Sequence, residues 1–273
     1  MRFVLTILLW LVTTIALAVT VPVVWAQRSI IDVDGYAALA QSAARDGELQ
    51  DAVASELTTQ VVTNSRASES AVRRVATVYT ASPSFAGQFA QANRIAHRWL
   101  FTNSVGQTPN GWVIDLAPML SDTSFAQMLN TLNVEVPSEV TVPVTATGNL
   151  APGQLRALAT WGPWVSIGCA VLTAILALLT LASARRRGKA VAALGVCALI
   201  VGGGGWAALE VARGPLNDAL NHTTGDVRRI AEVMVAQAEN SLHQWLNLTL
   251  AAGGALVVFG VIVTIIGGLR QRA

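Results

Sequence analysis

The sequence predicts a mainly α membrane protein, with four transmembrane helices and an extracytoplasmic helical domain carrying a small two-stranded β element. Three observations predict it. Only 12% of the 273 residues are charged and 53% are hydrophobic, whereas a soluble domain carries about 25% charged residues. Four windows are long and uncharged enough to span: Phe3 to Val24, Trp164 to Ala184, Ala190 to Leu209 and Leu248 to Leu269. At about 1.5 Å per residue, each matches a hydrocarbon core of about 30 Å. Finally, basic residues gather at one end of all four windows.

That charge distribution orients the chain. With both termini cytoplasmic, Arg2, Arg185, Arg186, Arg187, Lys189, Arg270 and Arg272 share the inner side with no acid. The other side holds 11 basic and all 16 acidic residues. Basic residues in short loops near span ends stay cytoplasmic. The topology determinants are therefore Arg185, Arg186, Arg187, Lys189, Arg270 and Arg272. Trp25, Trp161, Trp164, Trp206 and Trp245 fall at the outer ends of the windows, the depth an amphipathic indole prefers. The expected location is the plasma membrane.

Five segments follow: an N-terminal anchor (1–26), an extracytoplasmic α-rich domain (27–162), a transmembrane hairpin with a basic cytoplasmic turn (163–209), a second extracytoplasmic helical segment (210–247), and a last transmembrane helix with a short cytoplasmic tail (248–273). The first window could also open a signal peptide cleaved after Ala26. Its apolar run of about 22 residues exceeds the 7 to 15 of a signal sequence and favours an uncleaved anchor.

The outside domain has no cysteine, so its stability must come from packing. Asp46-Gly47 separates a helix near Gly35 to Arg45 from one whose apolar face is Leu49, Val53, Leu57 and Val61. A third helix is expected near Glu69 to Tyr79, with Val72, Val75 and Tyr79 inward. Ser82-Pro83 reads as a helix start, serine capping free amides and proline taking the first helical position. Phe85, Phe89, Ala92, Ala96 and Trp99 then form one stripe of a helix ending near Asn103 and Gly106, a core face in preference to an aromatic binding box.

After the turn-rich Gly106 to Gly111 the period changes. Trp112, Ile114 and Leu116 alternate as a short strand, a brief helix buries Phe125, Met128, Leu129 and Leu132, and Glu139 to Thr147 alternates again. Pro143 cannot donate a ladder hydrogen bond, so this is an edge strand; the two strands are expected to pair against the helices. Gly148 to Gly153 is a linker.

In the third span, Gly202 to Gly205 predicts a bend or very close packing, since each glycine costs a helix about 1 kcal/mol relative to alanine. Gly260, Thr264 and Gly268 repeat every four residues in the last span and predict a helix-packing face, within the chain or between copies. Pro215 is expected to end or kink the third helix. Beyond Asp226, Val227, Ile230, Met234, Ala238, Leu242 and Trp245 form an amphipathic stripe, expected to dock against the first outside segment, with the membrane surface as the alternative.

Little in the chain constitutes a site. His97, His222 and His243 lack metal-ligand spacing. Cys169 and Cys197 lie at different depths in separate spans and read as small apolar residues. Asp32 and Asp34 before Gly35 resemble the start of a calcium loop, but the later ligands are missing; helix capping is the simpler reading. No phosphate loop, nucleophile elbow or dinucleotide fingerprint occurs. No catalytic, cofactor-binding or metal-binding residue is expected, and no cofactor. Apart from Glu210 at the outer edge, the spans hold no ionisable residue, which argues against ion-coupled transport.

The order of motifs has a precedent. An anchor precedes Asp32-Val33-Asp34-Gly35-Tyr36, then come Leu49-Gln50-Asp51-Ala52-Val53-Ala54 and Val113-Ile114-Asp115-Leu116-Ala117-Pro118. A strand, two spans with a basic turn, an outside helix and a last span complete it. This resembles a broad group of actinobacterial integral membrane proteins of uncharacterised activity. The chain departs from it where Gly35 replaces a bulky or basic residue and Ala43 to Gly47 replaces a proline-containing turn. One lysine among 18 basic residues fits a high-GC genome. The resemblance implies location and fold only.

The leading expectation is a non-enzymatic cell-envelope protein whose extracytoplasmic domain binds a protein partner or scaffolds an envelope assembly. One alternative is an accessory that binds lipid during envelope lipid transport or assembly; another is a membrane sensor working through a partner. Expected partners are membrane lipids and an envelope protein or a second copy, with no nucleic acid.

Overall fold

The computed structural model describes residues 2–64, 67–102, 113–115, 141–143, 153–184, 187–221 and 225–270. In chain order the elements are α1 (Arg2–Ala26), a π-helical turn (Gln27–Ile31), α2 (Val33–Ala43), α3 (Gly47–Asn64), α4 (Glu69–Thr80), α5 (Phe85–Phe101), β1 (Val113–Asp115), β2 (Thr141–Pro143), α6 (Arg156–Ser183), α7 (Arg187–Leu220) and α8 (Gly225–Arg270). The chain divides into two compact units.

The first unit comprises Met1–Gln27, Trp161–Gly214 and Glu239–Ala273. Its helices belong to the four segments long and apolar enough to cross a membrane, so the chain is a multi-pass membrane protein. Leu8, Leu11 and Ile15 of α1 and Val171, Leu172 and Leu178 of α6 are exposed, as suits side chains solvated by lipid tails and not by water.

Of the two outcomes expected of Pro215, ending or kinking the third helix, the first does not occur: α7 runs on to Leu220. Proline removes one hydrogen bond to the residue four before it, here Val211, and the described residues from Val211 to Asp218 are all exposed, so the ring displaces no packed neighbour there. Gly225 to Arg270 is one helix of 46 residues, so the amphipathic segment expected beyond Asp226 and the last span are continuous in α8. No proline interrupts it, and the apolar period that begins at Val227 continues across the change from polar to apolar composition.

The second unit comprises Arg28–Thr160 and Pro215–Ala238. Its core is built by Leu49, Val53, Leu57 and Val61 of α3, Val72, Ala76 and Tyr79 of α4, and Phe85, Phe89 and Ala92 of α5, all buried. Ile230, Val233 and Met234 of α8 pack against this cluster, so the start of α8 completes the core built by α3, α4 and α5. Asp32 caps α2, its Oδ1 accepting from the amides of Asp34 at 3.1 Å and Gly35 at 2.9 Å. Asp46 Oδ1 accepts from Glu48 N at 2.8 Å at the start of α3.

The Ser82-Pro83 helix start is corrected. Phe85 N donates to Ser82 O at 3.2 Å, closing a turn with Pro83 at its favoured second position, and α5 begins only at Phe85. Neither serine caps it, and the hydroxyls of Ser82 and Ser84 bond each other at 3.0 Å. The α5 stripe also drifts: Ala96 and Trp99 are half-buried, while His97 and Phe101 are buried. Four-residue steps from Phe89 reach those two positions.

β1 and β2 pair antiparallel, Val113 with Pro143, Ile114 with Val142 and Asp115 with Thr141. The Gly106 to Gly111 turn, the flanking strand positions, the brief helix from Phe125 to Leu132 and the linker up to residue 152 lie outside the described residues.

Candidate functional site

The site is built around α1. One face of this helix carries Thr6, Thr13 and Thr20, each seven residues after the last. Opposite them on antiparallel α6, Thr20 Oγ1 meets Thr173 Oγ1 at 2.8 Å, Thr13 Oγ1 meets Thr180 Oγ1 at 3.2 Å, and Thr6 Oγ1 meets Ser183 Oγ at 3.4 Å. Ser166, seven residues before Thr173, is buried and donates to Pro163 O at 2.9 Å. Gln27, the first residue of the π-helical turn, occupies the next seven-residue position, and its Oε1 is buried with no partner among the described residues. Hydroxyls are tolerated inside a bilayer when they bond the preceding helical turn or a facing helix, and each of these does one or both. Heptad spacing was the signal for this seam, hidden by the apolar residues around it.

A second face of α1 meets α7. Trp10 Nε1 donates to Ala193 O at 2.8 Å and Thr14 Oγ1 to Cys197 Sγ at 2.9 Å. Trp10, alone among the tryptophans at mid-span, thus packs on a helix. Cys197 is buried, Cys169 half-buried, and both are free thiols.

Toward the far end of this face the helices part. α1 from Thr14 to Pro22, α7 from Ile200 to Ala212, and Leu242 and Leu246 of α8 enclose a cleft of about 520 Å³. Thr14 supplies the one hydroxyl on the lining, and it is engaged with Trp10 O at 2.9 Å and with Cys197. The cleft is therefore chemically apolar, and its volume falls within the roughly 300–1,000 Å³ of small-molecule sites.

The glycine run sorts by position in this cleft. A Cβ on Gly202 would lie 2.6 Å from Leu250 Cγ, and one on Gly205 2.4 Å from Leu246 Cδ2. Those two glycines let α8 approach α7. Gly203 and Gly204 have no atom within 4 Å of such a Cβ, and Gly204 lines the cleft. Close packing therefore explains two of the four glycines.

Two groups singled out from the sequence come together at the other end of α7. A Cβ on Gly260 would lie 2.4 Å from Ala192 N, and one on Gly188 2.5 Å from Thr264 Oγ1. The glycine of the basic run is thus in backbone contact with the small-residue face of α8. Arg187 and Lys189 on either side of it are exposed, and Arg270 ends α8. Gly268 lies in α8; Arg185, Arg186 and Arg272 lie outside the described residues.

Polar groups gather between residues 206–213 of α7 and residues 239–247 of α8. Arg213 bonds Glu210 at 2.8 Å and Glu239 at 3.1 Å. The Trp206 ring stacks on His243 at 3.8 Å and its Nε1 donates to Asn247 Oδ1 at 3.3 Å. Trp25 Nε1 donates to Ser241 Oγ at 3.2 Å.

In the second unit His97 is buried, stacked on Phe101 at 4.1 Å, and its Nε2 lies 2.9 Å from Ile30 O of the π-helical turn. Burial lowers its pKa, while the Ile30 carbonyl and the Asp32 charge oppose that shift. Burial raises the pKa of neighbouring Tyr36. Gly35 admits this arrangement, because a Cβ there would lie 1.7 Å from Arg28 O. Asp34, paired with Arg94 at 3.1 Å, serves the fold. Among the described residues no group of three or more His, Cys, Asp or Glu side chains could hold a metal ion. Compared with protein-family models, curated proteins and solved structures, the chain matches none.

Proposed function

We propose that this chain is a non-enzymatic plasma-membrane protein that binds lipid as an accessory to envelope lipid transport or assembly. The observation that carries the reading is the apolar cleft of about 520 Å³ among α1, α7 and α8. Both termini are cytoplasmic in this proposal, on the strength of the basic run and the basic C-terminal tail. The second unit, with its short strand pair, is then extracytoplasmic, and the order of its motifs resembles the actinobacterial envelope group.

The cleft favours lipid over the scaffold reading. Among the described residues of the second unit, only Val78, Leu158 and Leu216 are exposed large apolar side chains, too few for an apolar docking face. The Gly260 and Thr264 face is engaged within the chain against α7, which disfavours it as the seam of a homo-oligomer.

Mass spectrometry of the protein purified in mild detergent tests the reading. The expected result is lipid retained near one per chain after washing; bulk phospholipid in variable amount would overturn it. A reporter fused after Ala273 should be active only in the cytoplasm, and activity outside would overturn the orientation.

A further inference from the structure

We propose that the cleft holds a single acyl chain from one leaflet, and that Gly204 keeps the path of that chain open. This rests on the lipid-binding reading and adds number, position and a gate.

The dimensions argue for one chain. From Ile200 to Ala212 the lining of α7 rises about 18 Å, close to the roughly 15 Å of one leaflet in a core of about 30 Å. Spread over that rise, about 520 Å³ leaves a cross-section of about 29 Å². Hydrocarbon chains in contact lie about 4.5 Å apart and need about 20 Å² each, so one chain fits along the cleft. Water gains nothing there, because the single lining hydroxyl is already bonded. An apolar space of this shape within a span is filled by the hydrocarbon around it.

Gly204 explains itself in these terms. A glycine inside a helix costs about 1 kcal/mol relative to alanine, and here the missing side chain gives no close helix approach, since nothing lies within 4 Å. What its absence leaves is the cleft. Gly203 is open in the same way but does not line it, and so supplies a matched control on the same helix.

The experiment uses the full chain in vesicles containing phosphatidylcholine with a diazirine on one palmitoyl chain. Photolabelling is mapped to peptides and counted per chain. The wild type should label at one site per chain, on the peptides holding residues 14–22 and 200–212. Gly204→Leu should reduce that labelling about tenfold, and Gly203→Leu should leave it unchanged. Ala208→Phe, a second lining position, should act as Gly204→Leu does and decides the matter if the glycine variant fails to fold. Equal labelling of all variants would overturn the inference while leaving lipid binding elsewhere. Two labels per cleft would overturn the single chain, and scattered labelling of the wild type would overturn the lipid reading as well.

Discussion

The hydroxyl seam makes an unequal prediction for its two best rungs, and counting protons decides it. Thr13 and Thr180 each have an acceptor in their own helix, Leu9 O at 2.6 Å and Leu176 O at 2.8 Å. Two protons cannot serve those two carbonyls and also the 3.2 Å contact between the hydroxyls. Removing either hydroxyl therefore leaves the other bonded. At the next rung, Thr20 donates to Ala16 O at 2.8 Å, and Thr173, with no carbonyl partner among the described residues, is free to donate to Thr20 at 2.8 Å. Those two bonds coexist, and only the longer 3.2 Å approach of Thr20 to Cys169 O competes for the same Thr20 proton. Measured hydrogen-bond couplings between membrane helices average about 0.6 kcal/mol and reach about 1.7. A threonine-to-valine double-mutant cycle should give about 0.6 kcal/mol or less for Thr13 with Thr180, and a value nearer 1.7 for Thr20 with Thr173. Reversible unfolding in mixed micelles with rising dodecyl sulfate measures both. A coupling at Thr13–Thr180 equal to or above that at Thr20–Thr173 would refute the proton count.

Three further outcomes are expected. Gly35→Ala places a methyl 1.7 Å from a backbone oxygen and should cost about 3 kcal/mol or more, read as a fall in thermal midpoint. Gly260→Ala, meeting Ala192 N at 2.4 Å, should destabilise the spans, whereas Gly254→Ala, with nothing within 4 Å, should be neutral or stabilising in the same micelle assay. Because burial lowers the His97 pKa below its ordinary value of 6.5, stability is fully present above that value and is lost as pH falls through it toward the folded value. His97→Gln should flatten that stretch of a stability-versus-pH curve, and an unchanged slope would remove His97 as its cause.

The spans were legible because an uncharged run of about 20 residues has few other uses, and the outer core because Leu49, Val53, Leu57 and Val61 keep a helical period. Where expectation failed, a local signal was overruled by its surroundings. Pro215 sits where exposure lets the helix absorb it, and Ser82-Pro83 turned the chain one step before α5 began. The hydroxyl seam was present in the residues as seven-residue spacing, but only a facing helix shows that Thr13 and Thr20 have counterparts. The cleft was not legible at all. It is a space left where α1 meets α7 and α8, far from it in sequence, and the glycine run pointed toward it without separating Gly204 from Gly202 and Gly205.

The heptad spacing of the seam also makes it an ambiguous ruler. Slide α6 along α1 by seven residues and the rungs meet again: Thr6 with Thr180, Thr13 with Thr173, Thr20 with Ser166. That alternative alignment lies about 10 Å away, and hydroxyl pairs worth about 0.6 kcal/mol each cannot tell the two apart. A hydrophobic mismatch costs a fraction of a kcal/mol per ångström, so a slip of that size costs several kcal/mol. The thickness of the bilayer therefore selects the rung, and a markedly thinner or thicker membrane would offer this helix pair a second resting position.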